Sequence, residues 1–112
     1  MSTANDLTSM HCKPCKAGTP PLSNTEADGL MRQIEGWQRY DHLISRAYHF
    51  KDYYQTIAFV NAVAWLSHSE DHHPELTITY DSCRVEYTTH SVHGLSQNDF
   101  ICAAKVDALF RI

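Results

Sequence analysis

The sequence predicts an α+β domain in which a four-stranded antiparallel sheet has three helices packed on one face. Three observations lead to this prediction: two pairs of strand-like segments, three helix-like segments, and the order α-β-β-α-β-β-α in which they follow one another. Strand pairs joined by short turns form antiparallel hairpins with one buried face, and the helices between such hairpins cover that face.

The first half of the chain predicts one helix and one hairpin. The helix is expected over residues 23–35, because Ser23-Asn24-Thr25-Glu26 matches a capping box and Gly36 is placed to end the helix. Residues 37–40 and 43–50 are the two strands of the hairpin, since apolar residues alternate along the second of them.

The central helix, expected over residues 51–69, carries the strongest helical pattern in the chain. Residues 57–66 are apolar on nearly every side, with Asn61 as the one polar residue. Such a helix is buried on more than one face. One layer of sheet cannot cover it fully in so small a domain, so we expect a homodimer or a homotetramer. Pro74 predicts that the helix ends near residues 71–73.

The second hairpin and the last helix complete the pattern. Residues 76–80 and 83–89 alternate between apolar and polar side chains on either side of the Asp81-Ser82 turn. Ser96-Gln97-Asn98-Asp99 resembles a capping box with Asp in the place of Glu, and the helix that it opens is expected to run to about Leu109.

Composition excludes several classes of function. The chain has 112 residues, enough for one domain with a single core. Its formal net charge is -4 and it has no block of lysine and arginine, so we expect no direct binding of nucleic acid. No stretch approaches the roughly 20 apolar residues that span a bilayer, and the first residues lack a signal-peptide pattern. We expect a cytoplasmic protein without membrane contact.

The domain organisation is predicted to be simple. Residues 1–22 are mostly small and polar and predict a flexible tail, whereas residues 23–112 form the folded domain. The tail holds a single Cys12-Lys13-Pro14-Cys15 string, and a structural zinc site usually needs a second pair of ligands. Cys83 and Cys102 lie on apolar stripes and are expected in the core.

Histidines are the most informative residues of the chain. Five of the eight lie between His68 and His93, in a chain region rich in carboxylates. Histidine titrates near neutral pH and serves as acid or base. His72 and His73 are adjacent at a helix end, so their side chains point in different directions, and the following hairpin can return His90 to the same region. Two such imidazoles contribute about 10²–10⁴-fold to a proton-transfer reaction.

Two other interpretations of these histidines compete with catalysis. Histidine at a helix terminus is favoured by the helix dipole, which requires no function at all. A metal site is also conceivable, because His68 and His72 are spaced i, i+4, and His90 or His93 could complete the ligand set. The His-Glu-x-x-His string of known metal helices is absent, which disfavours a metal.

The strings taken together resemble a known signature. They are His68-Ser69-Glu70-Asp71-His72-His73-Pro74, then Tyr80, then Thr89-His90, then Gly94-Leu95-Ser96-Gln97-Asn98-Asp99. This order and spacing is similar to that of the pterin-4a-carbinolamine dehydratases, whose pattern is a polar residue, three spacers, His-His-Pro, an aromatic residue, a His and a closing Asp. The resemblance covers about residues 23–110.

The resemblance implies an activity. A dehydratase of this kind converts 4a-hydroxytetrahydropterin (4a-hydroxytetrahydrobiopterin) to quinonoid dihydropterin and water. The reaction recycles the pterin cofactor of aromatic amino acid hydroxylases such as phenylalanine hydroxylase, and such a hydroxylase is an implied partner. The resemblance implies no metal and no cofactor for the reaction, and it agrees with a homodimer or homotetramer.

The resemblance also implies roles for individual residues. His72 and His90 are the acid/base pair, and His73 mainly positions the substrate. The further residues that it places at the substrate are Asp71, Pro74, Thr89, Asp99 and His68. Asp99 has an alternative structural role as the cap of the last helix.

Two departures and one alternative function remain. His68 stands where animal members often have an acidic residue, and Leu76 stands where they often have Trp, which makes substrate affinity less certain than the reaction. Animal members also act as dimerisation partners of a homeodomain transcription factor. The apolar run over residues 57–66 could serve such a non-catalytic binding module, although the intact histidine set favours catalysis.

Overall fold

The structure of the protein, a computed structural model, describes residues 4–110 and confirms the predicted α+β class. Its four strands form one antiparallel sheet in the order β1-β2-β4-β3. No helix in this part of the chain is long and apolar enough to cross a membrane. The elements are α1 (Ala4–Ser9), α2 (Asn24–Met31), β1 (Gln38–Tyr40), β2 (Leu43–His49), α3 (Tyr53–Glu70), β3 (Glu75–Ile78), β4 (Ser82–Tyr87), a 3₁₀ turn (His90–Val92) and α4 (Gln97–Phe110).

The sheet buries one of its faces, as the alternating sequence predicts. On β4 the side chains of Cys83, Val85 and Tyr87 are fully buried, whereas Arg84 between them is exposed. Both α3 and α4 contact β4, and the two helices also pack against each other. The helices therefore cover the apolar face of the sheet and leave the other face open.

Helix α3 begins and ends at residues whose side chains or backbone conformation suit a helix terminus. The Asp52 carboxylate accepts a hydrogen bond from the backbone N–H of Gln55 at 2.9 Å, an N-cap of the usual kind. At the other end Asp71 adopts a left-handed conformation with φ 54°. The predicted end of this helix before Pro74 is confirmed.

Helix α2 has the predicted capping box but is shorter than expected. Ser23 and Glu26 exchange both hydrogen bonds of the box, at 2.9 and 3.1 Å. The helix ends at Met31 rather than at residue 35, because the next residues form tighter i to i−3 hydrogen bonds, such as that from Ile34 N–H to the Met31 carbonyl. Gly36 then turns the chain with φ 92°.

Asp107 on α4 ties this helix to the sheet. Its carboxylate accepts hydrogen bonds from the Trp37 indole at 3.1 Å, from Arg46 at 3.0 Å and from the hydroxyl of Tyr48. This explains why a charged residue interrupts the apolar face of β2: the guanidinium of Arg46 is paired with a carboxylate at the edge of the core. Burial and the hydrogen bond to Asp107 raise the pKa of Tyr48 well above its usual value.

The prediction of a flexible tail over residues 1–22 is wrong for the part that the structure describes. Helix α1 packs against α4, and Leu7 is only 2% exposed within the core. Met10 and Cys12 are half-buried against the same cluster. Apolar side chains are few in this segment, and the sequence alone did not indicate that Leu7 and Met10 pack against the core.

The end of the N-terminal segment also contacts the loop before α4. The N–H of Leu22 donates to the carbonyl of Leu95 at 2.9 Å. At the neighbouring position Gly94, an added Cβ would lie only 2.8 Å from the Cβ of Pro21. The two segments therefore approach each other too closely for a side chain at residue 94.

Candidate functional site

His72 is held by a buried carboxylate. The left-handed residue Asp71 turns the chain after α3 so that the His72 ring points back toward α4. Its Nε2 lies 2.6 Å from Oδ1 of Asp99, and the ring stacks on Tyr87 at 5.6 Å between centroids. The side chain of Asp99 is fully buried and that of His72 is 11% exposed. The imidazole is thus fixed in position and orientation.

The second oxygen of Asp99 has its own donors. Oδ2 accepts from Oγ1 of Thr89 at 2.8 Å and from the backbone N–H of Ser96 at 2.9 Å. The bond from Ser96 is the carboxylate half of a capping box at the start of α4. Asp99 therefore has both of the roles that the sequence left open: it caps the helix and it orients His72.

The His72 ring lines a cavity of about 200 Å³, and the N-terminal segment forms one of its walls. This cavity, which we call the His72 cavity, is lined by residues from four separate parts of the chain. Its lining residues are Cys12, Lys13, Pro14, Cys15, Glu70, Asp71, His72, Thr89, Ser91 and Asn98.

Glu70 is the first of two residues that hold this wall. Its carboxylate, 4% exposed, accepts the backbone N–H of Cys12 at 2.7 Å and is paired with Nδ1 of His11 at 2.9 Å and Nζ of Lys105 at 3.3 Å. Burial by itself raises the pKa of Glu70, but the hydrogen bonds from Cys12, His11 and Lys105 outweigh it and lower the pKa to about 2. Glu70 is therefore an anion at any physiological pH.

Asn98 is the second of these residues. Its side-chain oxygen accepts the backbone N–H of Lys13 at 3.0 Å, and its side-chain nitrogen donates to the Lys13 carbonyl at 2.7 Å. A single amide thus pairs with the backbone as a neighbouring strand would. Glu70 lies two residues before His72, and Asn98 lies directly before Asp99. The same two chain segments therefore hold both the N-terminal wall and the imidazole of His72.

His73 and His90 line a different cavity, of about 350 Å³, which we call the His90 cavity. Both histidines are exposed, in contrast to His72. The lining residues are Leu43, His73, Pro74, Glu75, Glu86, Thr88 and His90. A further cavity of about 420 Å³ continues from His90 to His93 and His42.

The candidate site residues from the sequence therefore line two different cavities. Neighbouring residues of the same two segments alternate between the cavities: Asp71 and His72 line the first and His73 and Pro74 the second. The segment at residues 88–91 alternates in the same way. Residues 71–74 and 88–91 therefore line both cavities, and we call these two segments the partition, with His72 lining one cavity and His90 the other.

His68 lies apart from both cavities. It is exposed on the outer side of α3, where its ring is 5.6 Å from that of Trp65. Within residues 4–110 no three His, Cys, Asp or Glu side chains are grouped closely enough to hold a metal ion. The structure thus offers no support for the ligand set that included His68 and His72.

Sequence analysis missed the residues that support the site. Glu70 and Asn98 were noted only as parts of strings, and nothing suggested that they hold residues 11–15. Leu7 and Met10, three positions apart, were the available signal, since this spacing puts both side chains on one face of a helix.

Comparison with known proteins identifies the family of this chain. The sequence profile described as pterin 4 alpha carbinolamine dehydratase matches residues 20–109. The chain belongs to this family. A relative from Nitrosomonas europaea, provisionally named pterin-4-alpha-carbinolamine dehydratase, is 61% identical over 112 residues, which cover 99% of each chain. A relative from Dechloromonas aromatica with the same provisional name is 45% identical over the full length of both chains.

Solved structures of the family share the fold. The chain resembles a transcriptional coactivator/pterin dehydratase from Brucella melitensis with a TM-score of 0.76 and 31% identity, covering 80% of this chain and 97% of that one. It also resembles a pterin dehydratase-like protein identified as a RuBisCO assembly factor, with a TM-score of 0.55 and 26% identity, covering 65% and 84%. The family thus includes members named for roles other than dehydration.

Proposed function

We propose that the protein dehydrates 4a-hydroxytetrahydropterin to quinonoid dihydropterin, and so recycles the pterin cofactor of aromatic amino acid hydroxylases. The observation that carries this proposal is the 2.6 Å contact between His72 and the fully buried Asp99, residues that come from the two ends of the family motif. A buried carboxylate that fixes an imidazole is a common arrangement for proton transfer.

The hydrogen bonds of Asp99 assign the tautomer of His72. A carboxylate only accepts hydrogen bonds, so Nε2 of His72 carries the proton that Asp99 receives. Neutral His72 therefore has its free lone pair on Nδ1. We assign His72 as the base that removes the proton from the ring nitrogen next to the hydroxylated carbon.

His90 is the complementary acid. The C4a hydroxyl leaves as water once it is protonated, and His90 lies across the partition from His72. We propose that the pterin lies over this partition, with His72 on one side and His90 on the other. The exposed ring of His73, which shares the His90 cavity, then binds and positions the substrate. Pro74 and Thr88 form the adjoining wall.

Stopped-flow measurement of 4a-hydroxytetrahydropterin decay tests the proposal. The protein should accelerate the decay, and His72→Ala and His90→Ala should each reduce this acceleration by about 10²-fold. His49→Ala is the matched control, because His49 is an exposed histidine that lines a separate apolar groove. A decay rate that is the same with and without the wild-type protein would refute the activity.

A second proposal concerns assembly. The outer side of α3 exposes Tyr54 by 85% and Trp65 by 72%, an unusual fraction for large aromatic residues. The same side carries Ala58, Asn61 and His68 at spacings of three and four, which makes one continuous stripe. We propose that a second copy of the chain covers it, as the apolar central helix predicts.

Sedimentation equilibrium tests this assembly. The wild type should be a dimer or tetramer, and Trp65→Lys should shift it toward the monomer. Arg84→Ala on the open face of the sheet serves as a control. A monomeric wild type would contradict the proposed assembly and would favour the alternative of a binding module whose stripe contacts a different partner. The decay assay would still test the dehydratase activity independently.

A further inference from the structure

Two cysteines that the proposed reaction does not use lie in contact. The Sγ atoms of Cys12 in the N-terminal segment and Cys102 on α4 are 3.6 Å apart. The Cys12 sulfur is also 3.6 Å from the carbonyl oxygen of Asn98, one turn earlier on the same helix. A disulfide needs a separation of about 2.05 Å, so the two sulfurs would have to approach by about 1.5 Å.

The N-terminal segment that carries Cys12 is held in place by hydrogen bonds. The backbone of Cys12 is held by Glu70 at 2.7 Å, and Lys13 is held at both its N–H and its carbonyl by Asn98. Cys102 is fully buried on α4, whose position is fixed by the core. Both thiols are therefore held in contact by the fixed positions of the N-terminal segment and of α4.

The two thiols differ in access. Cys12 is half-buried and lines the His72 cavity, through which small molecules can reach it. Cys102 is buried and hydrogen-bonded to Cys12. The hydrogen bond and the burial raise the pKa of Cys102, which keeps this thiol protonated. Cys15, three residues from Cys12, points instead to the side-chain nitrogen of Asn98 at 3.5 Å.

We propose that Cys12 and Cys102 are a redox-active pair that closes to a disulfide when the protein meets a hydroperoxide. The sulfur of Cys12 attacks one oxygen of hydrogen peroxide and the O–O bond breaks, which gives a sulfenic acid on Cys12. The other oxygen leaves as water with the proton of the Cys12 thiol. The sulfur of Cys102 then displaces the sulfenic oxygen, which leaves as a second water with the Cys102 proton. Two thiols and one hydrogen peroxide thus become one disulfide and two waters.

The disulfide has a defined structural consequence. It joins residues that are 90 positions apart, and so it fixes the N-terminal wall of the His72 cavity to the helix that carries Asp99. In the reduced state the same wall is held by hydrogen bonds, by the pairing of His11 with Glu70 and by apolar packing, with no covalent link to α4. The oxidation state of this pair therefore sets how firmly the wall is closed beside His72.

Mass spectrometry of trypsin-digested protein tests the proposal without reference to catalysis. Cys12 and Cys15 share the peptide of residues 1–16, and Cys102 is in the peptide of residues 85–105. After treatment with hydrogen peroxide, the free thiols should fall from four to two, and these two peptides should be linked. A disulfide between Cys12 and Cys15 within one peptide, or four remaining thiols, would overturn it.

Two matched serine variants locate the bond. Cys12→Ser should abolish the linked peptide, whereas Cys15→Ser, in the same segment, should retain it. Oxidised wild type and Cys15→Ser should unfold about 10 °C or more above their reduced forms, because the bond closes a long loop. Cys12→Ser should show no such shift. A link that survives in Cys12→Ser and disappears in Cys15→Ser would contradict the assignment to Cys12.

Discussion

The two cavities on either side of the partition differ in how their histidines are held. On one side the His72 side chain is mostly buried, stacked on Tyr87 and bonded to the fully buried Asp99. On the other side His73 and His90 are both exposed. The His72 imidazole is thus positioned before a ligand binds, whereas the imidazoles of His73 and His90 can adjust to the ligand.

This difference indicates a division of labour. A fixed donor or acceptor contributes most to a reaction step, because no reorganisation is needed when the proton moves. Exposed side chains adapt to the shape of a ligand but lose conformational freedom when they bind it. Substitutions on the His72 side should therefore change mainly the rate, and substitution of His73 should change mainly affinity.

The largest effect is expected when the orienting carboxylate is removed. Asp99→Asn should lower kcat for dehydration by about 10²-fold or more, because an amide can present its nitrogen to Nε2 of His72 and so select the other tautomer. Steady-state kinetics on the variant measures this. Asp81→Asn, which changes an exposed carboxylate in a turn, is the control. A normal kcat with Asn at residue 99 would show that the fixed orientation of His72 is irrelevant.

His73→Ala should act on the opposite kinetic parameter. We expect KM to rise by about 10-fold with kcat changed by less than about 3-fold, since an exposed ring that only contacts substrate adds uniform binding. The same kinetic assay separates the two parameters. If kcat fell as far as in His72→Ala, the assignment of His73 as a positioning residue would be wrong.

A smaller loss is expected from Thr89→Ala. The variant removes the 2.8 Å hydrogen bond to Oδ2 of Asp99 and should reduce kcat by about 5-fold and stability by about 1 kcal/mol. Thr89→Ser keeps the hydroxyl and should restore both. Urea denaturation together with kinetics makes the measurement, and equal kcat values for the Ala and Ser variants would contradict a role through Asp99.

The last prediction concerns stability rather than kcat, at the wall of the His72 cavity. The pKa of Glu70, about 2, lies below its ordinary value of 4.5, so the stabilisation it supplies is complete above about pH 4.5 and is lost as the pH falls toward 2. Glu70→Gln should cost about 1–2 kcal/mol at pH 7 and should remove most of the acid dependence in this window. Urea denaturation at pH 7 and at pH 3 measures both.

The matched control for this last prediction is Glu75→Gln. Glu75 is an exposed carboxylate at the start of β3, so its substitution should leave the acid dependence of the wild type unchanged. If Glu70→Gln unfolded with the same pH dependence as the wild type, Glu70 would not be the residue that couples the N-terminal segment to pH.

The fold could be predicted because its patterns are local. The alternation of Cys83, Val85 and Tyr87, the capping box at Ser23 and the proline after α3 each act within a few residues, and all three are confirmed. The length of α2 could not be predicted, because the tight turns after Met31 depend on how the chain enters β1.

The candidate site was predictable in its residues but not in its geometry. The motif identified His72, His90 and Asp99 as site residues. The structure places two of these, His72 and Asp99, in direct contact. The partition was not predictable, because cavities depend on how distant segments pack, and no sequence pattern demanded the left-handed conformation of Asp71. The docked N-terminal segment was missed for a similar reason, since its backbone is anchored by the side chains of Glu70 and Asn98, which are distant in sequence.

The close approach of Pro21 and Gly94 has a consequence for how this chain and its relatives can diverge. A side chain at residue 94 would collide with Pro21, so the two positions are not free to vary independently. We expect relatives with a larger residue at position 94 to have lost the proline at position 21 or to follow a different path there. A change in the N-terminal segment at Pro21 and a change in the loop that leads to Asp99 must therefore be made together.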